Sequence, residues 1–480
     1  MQQLTGLDAS FLALETANST GHVGGVCVLD PHDAPEPLTL TRLTDLVADR
    51  LPLVPVLRRK LLHVPLGIDQ PYWVDDADFD IEYHIRELAL PRPGSDAQLT
   101  EQVGRLHARP LDRSRPLWEI YLITGLAKRR IAVYTKIHHS AIDGVSGAEL
   151  LTALLDLTPD GRELPANQPF RPSRPPNRAT LAVLAAGRLA WRPVQTVRIA
   201  NDLVRVLPTL APALSPLVGS MLGLGRGDGG VIPTAAGRAP ATPFNKSITP
   251  HRRLAFRSVD LDSVKAVKNA FGFSVNDVVM AMCAGALRRW LADPDALPEL
   301  PLVAMIPVSV RDPASKGAMG NKVSAMLATL PTHLADPGQR LTISHGATKI
   351  AKGQQAAIPQ GLVDQISDFA PPALAARAAR VVFATGLLHR LPPFNIVISN
   401  VPGPNIPVYL GGAKLLAHYP VSVITDGLGL NITVIGYLGQ LHFGLISCRE
   451  LVPDIDNLAG YLVDELELLL KAAAQLPAAG

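Results

Sequence analysis

Residues 131–144 decide the fold, and they read Ile131-Ala132-Val133-Tyr134-Thr135-Lys136-Ile137-His138-His139-Ser140-Ala141-Ile142-Asp143-Gly144. The first seven are mainly β-branched or aromatic, which is typical of a strand. The residues over 145–157 have the apolar spacing of a helix. Two histidines and an Asp-Gly pair therefore lie where a strand ends and a helix begins. That position suits reactive side chains that point into a cleft.

The rest of the chain predicts a layered α/β (α+β) protein with two domains. A chain of 480 residues exceeds the usual size of one hydrophobic core. Before the histidines, strand-like 25–29 and helix-like 39–51 begin an alternating pattern. Later strands and helices are predicted over 253–261, 262–271, 274–290, 302–310, 394–399, 432–437, 440–446 and 454–470. We therefore expect an N-terminal domain over 1–167 and a C-terminal domain over 250–480.

The segment 168–249 is predicted to be a linker, because proline and arginine are dense in it, as in Phe170-Arg171-Pro172-Ser173-Arg174-Pro175-Pro176. Its stretch over 180–224 is apolar and carries arginines, which fits a helix lying at a lipid surface. Pro208, Pro212 and Pro216 argue against a regular membrane-spanning helix. The alternative is an interdomain connection that contains one packed helix.

Charge and cysteine content exclude several classes of protein. The formal net charge is +3, and no block of basic residues indicates nucleic-acid binding. Cys27, Cys283 and Cys448 are far apart, so they predict neither a disulfide framework nor a metal-ligand pair. Cys283 lies among apolar residues and is expected in the core rather than as a nucleophile. We expect a reduced, cytoplasmic protein with no signal peptide and no bound metal.

Further sequence blocks occur in a fixed order along both halves of the chain. They are Leu7-Asp8-Ala9-Ser10-Phe11, His22-Val23-Gly24-Gly25, Pro116-Leu117-Trp118-Glu119, Val275-Asn276-Asp277-Val278, Pro307-Val308-Ser309-Val310-Arg311, Gly320-Asn321, Ser399-Asn400-Val401-Pro402-Gly403-Pro404 and Asp426-Gly427-Leu428-Gly429-Leu430-Asn431. Together with the His-His-x-x-x-Asp-Gly motif, they resemble the bacterial wax ester synthase/diacylglycerol acyltransferases, notably the mycobacterial-type triacylglycerol synthases. The histidine motif alone is shared by a wider superfamily, whereas this ordered set is far more specific.

The resemblance implies two domains like those of the CoA-dependent acyltransferases related to chloramphenicol acetyltransferase, with the active site in a tunnel between them. One mouth of the tunnel would admit long-chain acyl-CoA, and the other would admit the lipid alcohol. The implied activity is acyl-CoA:diacylglycerol O-acyltransferase, which makes triacylglycerol, with wax esters from long-chain alcohols as further products. Acyl-CoA would be a co-substrate, and no cofactor would stay bound. The protein would associate peripherally with the inner membrane or with lipid droplets.

The resemblance also implies roles for the residues of the histidine motif. An alcohol attacks a thioester poorly until a base removes its proton, and imidazole, with a pKa of about 6.5, is a suitable base. The base would be His139, with His138 in support, since adjacent residues on an extended segment face opposite sides. Asp143 would point away from the cleft and hold the loop through an arginine, for which Arg311 is the candidate. Gly144 would permit a backbone shape that other residues cannot adopt.

A tetrahedral intermediate would need hydrogen-bond donors for its negative oxygen. Asn276 is the leading candidate donor, and its alternative role is a simple helix cap. Asp277 is expected to organise the same turn rather than take part in the chemistry.

Two segments are candidates for the substrate channel, each with a structural alternative. Pro116, Leu117 and Trp118 precede a strand and would shape an acyl channel or serve as an aromatic packing anchor. Asn400, Pro402 and Gly403 would border the tunnel or simply form a rigid turn.

Two other functions compete with neutral-lipid synthesis. Polyketide-associated acyltransferases and condensation domains share the histidine motif and would use carrier-protein thioesters. A lipid-binding protein that kept the fold without catalysis is the non-enzymatic alternative, and the intact histidine motif disfavours it.

Overall fold

The computed structural model describes residues 1–141, 153–164, 170–177, 179–188, 239–292, 295–309, 323–356 and 392–476. Within these ranges the chain forms two six-stranded sheets, a three-stranded sheet and the helices that pack on them. The strands are β1 (Gln2–Gln3), β2 (His22–Asp30), β3 (Arg59–Leu62), β4 (Tyr72–Asp75), β5 (Ile85–Ala89), β6 (Trp118–Thr124), β7 (Ile131–His138), β8 (Arg252–Asp260), β9 (Leu302–Ser309), β10 (Val323–Leu330), β11 (Ile396–Val401), β12 (Tyr409–Leu410), β13 (Ala413–Val421), β14 (Leu430–Tyr437) and β15 (Gln440–Cys448). The helices are α1 (Gly6–Leu14), α2 (Leu40–Arg50), α3 (Ile81–His84), α4 (Asp96–Ala108), α5 (Ala179–Arg188), α6 (Leu261–Phe271), α7 (Val275–Ala292), α8 (Pro337–Ala356) and α9 (Ile455–Ala474).

The histidine motif follows β7, an inner strand of the first six-stranded sheet, whose order is β12-β13-β2-β7-β6-β5. Both neighbours, β2 and β6, run antiparallel to β7, and the register places His22 opposite His138. The strand predicted over 131–137 is confirmed and extends to His138. A single 3-10 turn, His139–Ala141, follows it. The two histidines therefore differ in backbone conformation.

The helix predicted over 145–157 lies largely outside the described residues, but its predicted end is wrong. Asp156 forms a β-bridge with Tyr409 instead of continuing a helix. Its buried carboxylate also pairs with Arg50 at the end of α2, at 2.5 Å. These partners come from distant parts of the chain, so apolar spacing alone does not reveal them.

The other elements predicted from periodicity are confirmed, with ends displaced by a few residues. They include β2, α2, β8, α6, α7, β9, β11, β14, β15 and α9. The layered α/β architecture is therefore confirmed as well. Several elements lie outside the ranges predicted from the sequence, β10, β13 and α8 among them.

Strand β13 crosses from one half of the chain to the other. It lies within 250–480, the range predicted for the C-terminal domain, yet it pairs with β2 in the first sheet, from Lys414 opposite Asp30 to Val421 opposite Gly24. It also passes directly over β15, where a Cβ at Gly444 would overlap the carbonyl oxygen of Pro420. The predicted boundaries at 167 and 250 therefore do not separate the two sheets.

The second six-stranded sheet has the order β10-β9-β11-β14-β15-β8 and packs against helices α6 to α9. Its core contains fully buried side chains from strands and helices alike, such as Phe443, Val434, Leu462 and Cys283. Burial raises the pKa of the Cys283 thiol to about 12. Cys283 is thus a core residue, as its sequence context predicts, and not a nucleophile.

Helix α4 links the two halves. It begins with a capping box between Ser95 and Gln98 and buries Val103 and Leu106 against the first sheet and β8. At Gly104 a Cβ would lie 3.0 Å from the carbonyl oxygen of Arg252, so the helix approaches the backbone of β8 closely. The interface between the halves is therefore an apolar layer in which backbone and side chains are tightly packed.

Part of the predicted linker forms a packed helix. Leu181 and Ala185 of α5 are buried against Val64, Tyr72 and Val74 beside the three-stranded sheet β1-β4-β3. This agrees with the alternative of a connection that contains one packed helix. Positions 189–238 lie outside the described residues, and they include most of the stretch predicted to be interfacial.

Among the described helices, none is by itself long and apolar enough to cross a membrane. One pair, α6 with α7, meets the criteria of length and composition jointly, but the two helices are bent by 102°.

Substitution of Gly285 by alanine tests how the helices of the second sheet are held. A Cβ at this position of α7 would lie 2.0 Å from a carboxylate oxygen of Glu465 on α9. That carboxylate is buried and pairs with Arg340 of α8 at 2.5 Å. We expect Gly285→Ala to cost about 1–3 kcal/mol and to lower the thermal unfolding midpoint. Gly460→Ala on α9, where a Cβ meets nothing within 4 Å, should leave the unfolding midpoint unchanged or raise it. Equal midpoints for the two variants would contradict this packing.

Candidate active site

The two histidines of the motif occupy different environments. His138 is buried, at 2% exposure, whereas His139 is partly exposed. The His138 N–H donates to the carbonyl oxygen of Leu117 at 2.9 Å, and the His139 N–H donates to that of Gly21 at 2.8 Å. His139 is therefore the more exposed of the two residues, and the roles predicted for them stay predictions.

The hydrogen bonds of His138 define its tautomer. The Ser140 N–H donates to Nδ1 of His138 at 3.1 Å, and the Ser140 hydroxyl lies 2.6 Å from the same nitrogen. Since Nδ1 is an acceptor, the proton of the neutral ring is on Nε2. Nε2 then donates to the carboxylate of Glu15 across 3.2 Å. The orientation of His138 is thus set from both sides of the ring.

Glu15 is a carboxylate of the site that sequence analysis missed. Its Oε1 accepts from the Gly21 N–H at 2.7 Å as well as from His138, and its Oε2 accepts from Nε of Arg113 at 3.1 Å. Burial raises the pKa of Glu15, but the hydrogen bonds and charges of these partners outweigh it and hold the pKa at about 2. The carboxylate is therefore ionised at neutral pH. The sequence signal for Glu15 is weak, and consists of its position four residues after the block Leu7 to Phe11.

Phe11 is a second residue that the sequence did not single out by role. Its ring stacks on the imidazole of His139, with centroids 4.1 Å apart and an interplanar angle of 22°. Phe11 and Glu15 both come from α1 or its C-cap, and both contact the histidine pair. One short helix thus borders both rings.

A buried polar network lies behind His138. His22 is 1% exposed, and burial together with the nearby charge of Lys136 lowers its pKa to about 3, so its ring is neutral. The Lys136 ammonium donates to the carbonyl oxygens of Leu106 and Arg109, and it pairs with Glu119 at 3.3 Å. These bonds satisfy the buried charge and tie β7 to the end of α4.

Trp118, a predicted channel residue together with Pro116 and Leu117, makes packing contacts in this structure. Its indole N–H donates to the carbonyl oxygen of Leu57 at 2.7 Å, and its ring stacks on His84 at 4.4 Å. Among the hydrogen bonds of the described residues, the Leu117 carbonyl oxygen is the only group of residues 116–118 that bonds to the histidine motif. The packing role is therefore visible, and a channel role stays a prediction.

Asp277 organises the start of α7, as the sequence predicts. Ser274 and Asp277 form reciprocal hydrogen bonds of the capping-box type, at 3.0 and 3.3 Å. The same carboxylate accepts from Nδ1 of His345 on α8 at 2.9 Å. Burial raises the pKa of Asp277, but the bonds from His345 and Ser274 outweigh it and the pKa is lowered. Asn276 lies beside this cap and is half-buried.

Asn400 and the residues after it lie at the end of β11 in the second sheet. Asn400 is half-buried and pairs with Val434, and Pro402 is exposed. At Gly403 a Cβ would overlap the carbonyl oxygen of Gly436, so the close approach of two backbones explains this glycine.

Three predicted site residues lie outside the described residues, namely Asp143, Gly144 and Arg311. Their predicted roles stay predictions. In the part of the chain that the structure describes, no group of three or more His, Cys, Asp or Glu residues is placed to hold a metal ion.

Comparison with known proteins assigns the chain to a family. The sequence model of the wax ester synthase/diacylglycerol acyltransferase catalytic domain matches residues 4–279, and that of the C-terminal domain matches residues 319–470. The chain belongs to this family. Its members are O-acyltransferases, so the resemblance drawn from the ordered sequence blocks is confirmed.

Full-length relatives agree with this assignment. A protein of Mycobacterium tuberculosis, named as a probable diacylglycerol O-acyltransferase, is 39% identical over 97% of this chain and 98% of its own length. An O-acyltransferase of Acinetobacter baylyi is 33% identical over 98% of this chain and 97% of its own. The functions that compete with wax ester and triacylglycerol synthesis are not favoured by these relatives.

Solved structures confirm the fold. The wax ester synthase/diacylglycerol acyltransferase from Marinobacter aquaeolei matches with a TM-score of 0.69 and 33% identity, over 98% of this chain and all of its own. The starter condensation domain of rhizomide synthetase matches with a TM-score of 0.53 at 14% identity, over 99% of this chain and 94% of its own. The second likeness concerns the fold alone.

Substitution of Gly21 by alanine tests the packing around His138. A Cβ there would lie 2.8 Å from Nε2 of His138, which must then move away from Glu15. We expect acyl transfer to fall roughly 10- to 100-fold, because small misplacements of reacting groups are costly, while the protein stays folded.

Gly436→Ala is the matched control for this substitution. Its Cβ would make only an ordinary contact, 3.7 Å from Leu441, so activity should equal that of the wild type. A fully active Gly21→Ala enzyme would show that the position of His138 does not matter for turnover.

Proposed function

We propose that this O-acyltransferase transfers the acyl group of a long-chain acyl-CoA directly to the free hydroxyl of diacylglycerol, forming triacylglycerol. The observation that carries the proposal is the partly exposed His139 directly after β7, in a chain that belongs to a family of acyltransferases. Long-chain alcohols are proposed as further acceptors, which would give wax esters. Acyl-CoA acts as a co-substrate, and no bound cofactor takes part.

The proposed reaction begins with the neutral imidazole of His139. It takes the proton of the acceptor hydroxyl while the oxygen attacks the thioester carbonyl. The tetrahedral intermediate then collapses, its carbon–sulfur bond breaks, and the CoA thiolate takes the proton from the imidazolium of His139. A thiol has a pKa of about 8.5, so the thiolate leaves readily and no acyl-enzyme is needed. Asn276 is proposed as a donor to the oxyanion, supported by its partly exposed position at the start of α7.

Replacement of His139 tests this reaction. Purified protein with labelled palmitoyl-CoA and diolein should form triacylglycerol, and hexadecanol in a parallel assay should give the wax ester. We expect His139→Ala to lower the rate by roughly 10²- to 10⁴-fold, the usual contribution of a general base, with an unchanged unfolding midpoint. His32→Ala removes an exposed histidine and should have no effect.

Two results would contradict the proposal. One is a folded His139→Ala enzyme that remains active. The other is turnover of an acyl carrier protein thioester with none of the CoA thioester, which would favour the condensation-type alternative.

We also propose that α5 contacts a lipid surface, which would bring the enzyme to its acceptor. Support comes from the outer side of this helix, where Val183 is 71% exposed and Leu184 is 44% exposed. Leu66, in the neighbouring turn between Val64 and Ile68, is 91% exposed. Arg188 at the helix end is 52% exposed and pairs with the buried carboxylate of Asp69 at 3.7 Å. Exposed apolar side chains beside arginine fit peripheral attachment to anionic lipid.

Vesicle flotation tests this attachment. With vesicles of phosphatidylcholine and phosphatidylglycerol, Val183→Asp and Leu66→Asp should each reduce the bound fraction several-fold, since each places a negative charge in the contact. Leu300→Asp changes a 60% exposed leucine elsewhere and should bind as the wild type does. Equal binding of all variants would refute a role for α5.

A further inference from the structure

We propose that helix α1 sets the orientation of both imidazoles of the histidine pair, with Phe11 and Glu15 as positioning residues. This rests on the proposed role of His139 as the base. Phe11 and Glu15 are four residues apart, so they lie on the same side of α1, about one turn from each other. Phe11 contacts the ring of His139, and Glu15 contacts the ring of His138.

The Glu15 carboxylate contacts His138 directly and is linked to His139 through Gly21. Its Oε1 accepts from Nε2 of His138 at 3.2 Å and from the Gly21 N–H at 2.7 Å. The Gly21 carbonyl oxygen in turn accepts from the backbone N–H of His139 at 2.8 Å. One carboxylate oxygen thus holds the ring of the first histidine and, through a single residue, the backbone of the second.

Arg113 keeps Glu15 in place. Its guanidinium donates to Oε2 of Glu15 through both Nε and Nη2, and Nη2 also donates to the carbonyl oxygen of Leu12 at 2.8 Å. A guanidinium that binds a carboxylate in this forked manner fixes geometry as well as charge. Leu12 belongs to the last turn of α1, so the same arginine anchors the helix end that carries Glu15.

The Phe11 ring acts on His139 by packing. A ring whose centroid is 4.1 Å from the imidazole covers one of its faces, excludes water there and restricts rotation about the side chain. The beginning of α1 is held as well, because the Thr5 hydroxyl bonds the Asp8 carboxylate at 2.6 Å and accepts from its N–H at 3.2 Å.

Glu15→Gln and Phe11→Leu test the two contacts. We expect each to lower kcat roughly 10- to 100-fold with little change in KM, because the base is misplaced while substrate binding is kept. Ser10→Ala is the matched control on α1. In the described residues, the Ser10 hydroxyl donates only to the Leu7 carbonyl oxygen within the same helix. Its removal should therefore leave kcat unchanged.

The pH profile separates a positioning role from a merely structural one. The charged or titratable groups that contact Glu15 are Arg113, His138 and, at 3.9 Å, His22. Glu15→Gln removes the negative charge and leaves the Arg113 cation, which disfavours protonated imidazole. The acid limb of kcat/KM should therefore move to lower pH. Glu15→Asp keeps the negative charge on a shorter side chain. The acid limb should therefore return to its wild-type pH, while kcat recovers only in part.

The outcomes distinguish this proposal from the proposed function. If His139→Ala is inactive but Glu15→Gln and Phe11→Leu keep the wild-type kcat and pH profile, α1 has no positioning role and the base assignment stands. If Glu15→Gln loses kcat without a shift of the acid limb, Glu15 is only structural and the proposal is wrong. If His139→Ala stays active, the proposed function itself fails.

Discussion

The pairing of β13 with β2 is the contact on which the arrangement of the two halves depends. Backbone hydrogen bonds run from β13 to β2 and from β2 to β7, so a strand from the second half lies two positions from the histidine strand. Side chains reinforce the crossing. Tyr437 of β14 donates to the Leu415 carbonyl oxygen at 3.0 Å, and Tyr419 stacks on Phe256 of β8 at 4.7 Å. Neither sheet can move far without breaking these bonds.

Buried charges in this fold are paired across elements that are distant in sequence. Lys136 with Glu119 joins β7 to β6, Arg50 with Asp156 joins α2 to the segment after the motif, and Arg340 with Glu465 joins α8 to α9. A buried ion pair adds little net stability. Removal of one partner, however, leaves an unpaired buried charge and destabilises the fold strongly. Each pair therefore specifies which elements pack together.

The two residues of the histidine pair lie in different environments, and the proposed chemistry depends on that difference. His138 is held on both ring nitrogens, by Ser140 and by Glu15, so it has no site left for a substrate proton. His139 begins a new turn, has its backbone fixed by Gly21, and stacks on Phe11. Adjacent residues of the same type thus lie in different environments because the strand ends at His138 and a turn begins at His139.

The local pattern of the chain was enough to predict β7, α7, the Cys283 core position and the cap at Asp277, since apolar periodicity and capping chemistry act within a few residues. The ordered blocks were enough to predict the family. Local pattern could not predict three features of the structure. They are the pairing of β13 with the first sheet, the bridge at Asp156 and the contact of Glu15 with His138. Glu15 meets His138 across 123 positions of sequence, and β13 meets β2 across nearly 400, so backbone pairing and buried charge, rather than local propensity, decide them. The sequence by itself determined the family, the histidine motif and many of the strands and helices. Only the tertiary structure decided which carboxylate and which aromatic ring contact the histidines, because those contacts exist only once distant segments are packed together.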